Sequence, residues 1–363
     1  MATKSLRQIA LRYTVILANL VAGVNASAQS FALTGSLHTA RASHTATLLA
    51  NGQVLAAGGD GAAGILSSAE LYNPATGTWT VTGSMNIPRE DHAATLLENG
   101  EVLVVGGITN STNTPTATAE LYNPGTGKWT LTGSLPVATY GFGLALLPNG
   151  NVLVAGGSIM TSSGCCQATN AAEIYNPSTG AWAVTGSLNE PRVTAATLLT
   201  DGKVLMAGGG TNERTAEIYS NGVWTLTSEM VNAHGGMREA PLNTGNALVY
   251  GGTNLASYAG EYYDPATNVW MSTHNLGVTP VNGPLTALAN GDVLLSGGIN
   301  SYHNINPNGY VYVPSTNSWG AGARMNVART AHAAVALQNG DVLVLGGINT
   351  SSGLLASAEI FTP

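Results

Sequence analysis

Residues Arg89–Ser134 read REDHAATLLENGEVLVVGGITNSTNTPTATAELYNPGTGKWTLTGS. Four short runs in this stretch have strand character: His92–Leu97, Glu101–Val105, Ala119–Tyr122 and Trp129–Thr132. The first two alternate or are wholly apolar, as strands buried on both faces are. Asn99-Gly100 joins them and predicts a two-residue primed hairpin turn, because glycine supplies the positive φ and Asn tolerates it. Asn123-Pro124-Gly125-Thr126-Gly127 joins the third run to the fourth.

The same unit recurs along the chain. Glycine pairs fall at Gly58-Gly59, Gly106-Gly107, Gly156-Gly157, Gly208-Gly209, Gly251-Gly252, Gly297-Gly298 and Gly346-Gly347, about every 48 residues. A repeat of that length with four strands per unit is the signature of propeller blades. Six tryptophans, Trp79, Trp129, Trp182, Trp224, Trp270 and Trp319, each open a fourth strand, a placement expected of packing between blades. The seventh unit stops after its third strand. Phe31-Ala-Leu-Thr-Gly-Ser-Leu37 matches Trp79-Thr-Val-Thr-Gly-Ser-Met85 position by position, so the N-terminal strand is expected to complete the last blade. Closing the ring this way leaves no open repeat edge. The expected fold is all-β: a seven-bladed β-propeller of four-stranded blades over residues 29–363.

Composition agrees and narrows the function. The chain has 46 glycines among 363 residues, charged residues make up only 9%, and the net charge is −7. A hydrophobic fraction of 44% excludes a disordered acidic chain. The acidic balance offers no basic stripe for phosphates, so nucleic acid is not an expected partner. Lys4, Arg7 and Arg12, the apolar stretch Tyr13–Val24 and Ala26-Ser27-Ala28 read as a secretory signal peptide over residues 1–28. Export to the cell envelope or medium is therefore expected, with no membrane insertion after cleavage and a monomeric product.

The Gly-Gly ending the second strand, the Glu-Leu/Ile-Tyr-Asn-Pro-x-Thr-Gly-x-Trp run and Arg-x-x-His before the first strand resemble kelch repeats. The variant is similar to that of bacterial secreted kelch proteins and to the propeller of galactose oxidase. The resemblance spans nearly all of residues 31–363. It implies the propeller fold with the first strand on the central channel, and it leaves function open, since such propellers serve as binding modules and as a few enzymes. The copper-radical constellation of galactose oxidase is not matched: glycine follows Tyr140 and the two cysteines are adjacent. The turn lacks the Ser-x-Asp-x-Gly pattern of sialidases. Metalloprotease, phosphate-loop and nucleophile-elbow motifs do not occur.

Candidate chemistry gathers where first strands begin. Arg41-Ala-Ser-His44, Arg89-Glu-Asp-His92 and Arg329-Thr-Ala-His332 lie in blades one, two and seven, neighbours around a closed ring. His44, His92 and His332 are donors suited to a divalent metal such as Zn²⁺ or Cu²⁺. Three register-identical copies equally suit recurrent packing groups, and no cofactor is expected. Glu70, Glu120, Glu173, Glu217, Glu261 and Glu359 share one third-strand position and read as structural, partnered by the repeated arginines or by backbone amides.

Departures from the repeat are the stronger pointers to a ligand. Tyr140 and Phe142 replace the Arg/His pattern in unit three, and Arg192 has no following histidine in unit four. Unit five offers His234 and Arg238, and unit six Asn282, with Tyr302 and His303 in its long loop. Aromatic faces beside Arg, Asn and His suit a carbohydrate or another polar ligand. Adjacent Cys165 and Cys166 admit a strained vicinal disulfide stiffening the unit-three loop. The expected function is a binding or interaction scaffold for a glycan, or a protein or other surface macromolecule, at the channel mouth. The alternative is a carbohydrate- or metabolite-acting enzyme of oxidase, epimerase or lyase type at the same mouth, metal-dependent or not.

Overall fold

The computed structural model describes residues 29–363 except 111, 162–163, 165, 211, 236, 252–259, 278–280 and 301–303. The leader expected over 1–28, and Cys165, Tyr302 and His303, lie outside the described residues. Seven four-stranded antiparallel sheets follow one another around a ring. Blade two shows the pattern: Ala93–Leu96, Val102–Val105, Ala119–Asn123 and Lys128–Leu131, each strand hydrogen-bonded to the next. Among the described residues the only helical turn is the 3-10 segment Pro314–Thr316, and no helix is long and apolar enough to cross a membrane.

First strands touch first strands all the way round, from Thr45–Leu48 through each blade to Ala333–Ala336 and back to Thr45–Leu48. They therefore line the central channel, and in blades one, two and seven their small residues are half-buried throughout. Burial on both faces holds only for the second strands, which are fully buried in every blade. The expectation of a doubly buried first strand fails because the channel leaves its inner face to solvent.

The last blade closes as expected. Ser30–Thr34 pairs antiparallel with Ala358–Thr362, next to Val342–Leu345 and Ala333–Ala336. Phe31 sits opposite Phe361 with ring centroids 5.0 Å apart, where blade one sets Trp79 opposite Tyr72 at 5.0 Å. The N-terminal strand thus takes the fourth-strand position and its aromatic takes the tryptophan slot.

The core lies between blades. One cluster joins Leu55, Ala57 and Met85 of blade one to Val102, Val104, Tyr122 and Trp129 of blade two, and equivalent clusters fill the other boundaries. The Trp79, Trp129 and Trp182 indoles donate to the carbonyls of Gly35, Gly83 and Gly133 on the preceding fourth strand. The first hairpins differ from expectation. Gly52 N–H donates to Leu49 O at 2.9 Å, Leu49 N–H donates to Gln53 O at 2.8 Å, and of Asn51 and Gly52 only Gly52 has positive φ. This is a three-residue loop, a type I turn closed by a left-handed glycine, and not a two-residue primed turn. Asn51 instead uses its Oδ1 to accept the Gln53 N–H.

Candidate functional site

Residues entering the first strands bridge residues just after Gly-Gly: Ala42 with Asp60, Glu90 with Ile108, Tyr140 with Ser158, Arg192 with Gly210, Val281 with Ile299 and Thr330 with Ile348. Both segments therefore form one face of the ring. Ser43, Asp91 and Ala331 all adopt left-handed backbone there, at φ 50°, 48° and 50°. Ser43 N–H donates to Ala331 O at 3.0 Å and Asp91 N–H to Ser43 O at 3.1 Å, lacing blades seven, one and two together. This half of the mouth is a regular rim.

The repeated arginines and glutamates are internal ties. Arg41, Arg89, Arg192 and Arg329 are fully buried and pair with Glu70, Glu120, Glu217 and Glu359 at 2.7–3.0 Å. Arg89 also donates to Gly106 O, Thr118 O and Thr118 Oγ1, leaving only Nε without a partner. Glu120 accepts the Asn86 and Ile87 backbone N–H groups, so it holds the crossing between blades. In unit five His234 stands where the arginine would be. It is buried, with Nε2 on Glu261 at 3.1 Å and Nδ1 on Gly251 O at 2.7 Å. Arg192 and His234, both proposed from the sequence as ligand contacts, are thus placed inside the wall and away from the mouth cavities.

Unit three lacks this tie. Thr139 replaces the arginine, and Pro136 stands where other units offer a backbone N–H. The Glu173 carboxyl is left buried with no hydrogen bond among the described residues, and desolvation raises its pKa to about 7.

His44, His92 and His332 each pack against the first glycine of the preceding blade's pair. A Cβ at Gly346, Gly58 or Gly297 would meet His44, His92 or His332 Cε1 at 2.6, 2.8 and 2.7 Å. Phe142 over Gly106 and Met237 over Gly208 occupy the same slot. Burial, then the neighbouring Arg41, push the His44 pKa down to about 3, and His92 and His332 are likewise held neutral by burial. His92 Nε2 lies 2.9 Å from Thr45 Oγ1 and His332 Nε2 lies 3.1 Å from Ser296 Oγ. Among the described residues no group of three His, Cys, Asp or Glu side chains is placed to hold a metal ion.

Two adjoining cavities open at this face. A channel cavity of about 640 Å³ is lined by residues of the first-strand starts, including His44, His92, His332, Glu239 and Leu285. A mouth cavity of about 390 Å³ is lined by Tyr140, Phe142, Thr194 and Met237. Asp91, His92, Ala195, Arg238 and Asn282 belong to both and mark where one passes into the other. Tyr140, Phe142, Arg238 and Asn282, chosen from sequence as breaks in the repeat, therefore converge on one wall. Tyr140 Oη donates to Cys166 Sγ at 3.2 Å, and Cys166 is an exposed residue of a short ribbon pairing Ser158–Met160 with Cys166–Ala168.

Sequence reasoning missed Asp91 and Glu239. Burial raises Asp91, while a Ser43 hydrogen bond and the Arg238 charge oppose the shift. Glu239 Oε1 accepts the Ala207 N–H at 2.9 Å, its Oε2 has no partner, and desolvation lifts its pKa to about 8. Both contacts cross blade boundaries, so no local pattern announces them.

Residues 41–86 and 99–136 match the Kelch motif family, and with the ring geometry this identifies a kelch-repeat propeller. No curated protein matches the chain. Among solved structures it is similar to a novel fungal alcohol oxidase of the AA5 family, solved in complex with copper. That likeness has a TM-score of 0.70 at 15% identity and covers 92% of this chain and 75% of the other, which shows a shared fold. The residues at this mouth do not fit a copper centre. The three histidines occupy separate blade boundaries, two of them engaged by hydroxyls, and Tyr140 is turned to Cys166.

Proposed function

We propose that this kelch-repeat propeller is an exported binding protein that holds a carbohydrate at the mouth of its channel. The observation that carries this reading is the lining of the mouth cavity: the aromatic Tyr140 stands there with Asp91, Arg238 and Asn282, and the last three also line the channel cavity. Sugars present apolar ring faces and several hydroxyls, and planar polar side chains next to an aromatic ring complement both. The scaffold supports precision, because buried Arg–Glu ties and the laced rim hold the blades on which these residues sit. Export rests on the leader-like residues 1–28.

The test is a glycan array followed by calorimetry on the mature chain. Wild type is expected to retain a defined set of saccharides, with Tyr140→Ala and Asn282→Ala each weakening binding tenfold or more. Absence of any glycan binding, or binding indifferent to Tyr140→Ala, would sink the reading.

A further inference from the structure

We infer that the mouth selects an acidic saccharide, whose carboxylate pairs with Arg238 while its hydroxyls meet Asp91 and Asn282. The inference rests on the binding role proposed above and names the ligand class. Its basis is the treatment of cations elsewhere in the chain. Arg41, Arg89, Arg192 and Arg329 each donate to a carboxylate and to two backbone carbonyls. Lys203 and Arg214 are ion-paired at the surface, and Lys128 and Arg324 are exposed, unpaired among the described residues and outside both cavities. The Arg238 side chain has no hydrogen bond or ion pair among the described residues, yet it lines both cavities.

Its side chain is exposed to the cavities it lines. Surrounding protein desolvates the guanidinium enough to lower its pKa, and the Asp91 charge only partly compensates. The four buried arginines are already committed to carboxylates, whereas the accessible Arg238 guanidinium is free to meet an anion in the mouth. The guanidinium fork matches a carboxylate in bidentate geometry, which an isolated hydroxyl cannot reproduce. Asp91, from blade two, lines the same cavities and its charge reaches Arg238 of blade five, but the two side chains form no ion pair. An acceptor such as Asp91 calls for hydroxyl donors. A ligand that carries one carboxylate and several hydroxyls meets both demands, and Tyr140 supplies the face for its ring. A purely neutral sugar would leave Arg238 without a counter-charge.

The probes are hexuronate oligosaccharides and the same oligosaccharides with their carboxyl groups methyl-esterified, titrated into wild type, Arg238→Gln and Arg238→Lys. Wild type is expected to prefer at least one uronate over its ester by tenfold or more, with the preference shrinking as salt rises. Arg238→Gln should reduce that preference to within about twofold with an unchanged melting temperature, and Arg238→Lys should restore part of it. Equal binding of acid and ester by wild type, or a preference that survives in Arg238→Gln, overturns the acidic-ligand inference while leaving the carbohydrate reading in place. A preference for sulfated glycans over uronates overturns the carboxylate assignment. Failure of every glycan to bind overturns both.

Discussion

Glu239, in the first strand of blade five, accepts the backbone N–H of Ala207, at the end of the second strand of blade four, at 2.9 Å. In blades one to three the equivalent residue, such as Ala57 or Ala155, has a first-strand partner. Unit four is a residue short, and its first strand shrinks to Thr197–Leu198, which leaves Ala207 without one. A carboxyl from the next blade fills the gap.

That substitution carries a pH dependence. Burial raises the folded-state pKa of Glu239 from 4.5 to about 8, so the folded chain keeps a proton that the unfolded chain releases. Stability from this group is therefore undiminished below about pH 4.5 and declines as pH rises towards 8. Glu239→Gln retains the oxygen for Ala207 and should flatten the decline, read as melting temperature at pH 6 and pH 9. Glu239→Leu should instead cost about 1–3 kcal/mol at pH 6, the penalty of an orphaned buried N–H.

Glu173 should show the same sign at lower pH. With Thr139 and Pro136 in place of its donors, its pKa rises from 4.5 to about 7 through burial alone. Glu173→Gln is expected to stabilise the protein above pH 7 by on the order of 2 kcal/mol and to leave it unchanged near pH 4. Denaturant unfolding at the two pH values measures the difference. Arg89→Leu, which strands Glu120, should by contrast destabilise by about 3–5 kcal/mol at neutral pH.

The histidine slots accept apolar residues at two other blade boundaries, so His332→Phe and His44→Met should fold with stability within about 1.5 kcal/mol of wild type. Chelator treatment should not shift the melting temperature. A loss of several kcal/mol in both variants, or a large chelator shift, would show that these imidazoles do more than fill the slot.

Removal of residues 29–35 should open blade seven. It deletes the pairing of Ser30–Thr34 with Ala358–Thr362, the Phe31–Phe361 contact and the Gly35 carbonyl that receives the Trp79 indole. The bared edge of Ala358–Thr362 invites intermolecular pairing. Size-exclusion chromatography and thermal melting should report oligomers or aggregates and a lower melting temperature, where the intact chain is expected to run as a monomer.

Most of the mouth was legible because breaks in a strict repeat stand out. Tyr140, Phe142, Arg238 and Asn282 interrupt a pattern and meet on one wall. Arg192 and His234 interrupt it too, yet serve the interior. The signal that separates them is register: His234 precedes Met237 by three residues, as Arg89 precedes His92, so it inherits the arginine's place. The hairpins misled because Asn-Gly suits more than one turn, and the choice depends on the φ of the Asn itself.

The sequence by itself determined the number of blades, their strand order and the closure by the segment Phe31–Leu37. Those features follow from local periodicity, glycine-bearing turns and one aromatic per unit, and each repeats often enough to be read without neighbours. Only the tertiary structure decided which polar groups are partnered. Asp91 and Arg238 come from units three blades apart, and Glu239 answers a deficit in the unit before it. Closing a ring brings together first strands distant in sequence, and the electrostatic surroundings of a side chain there are set by that closure.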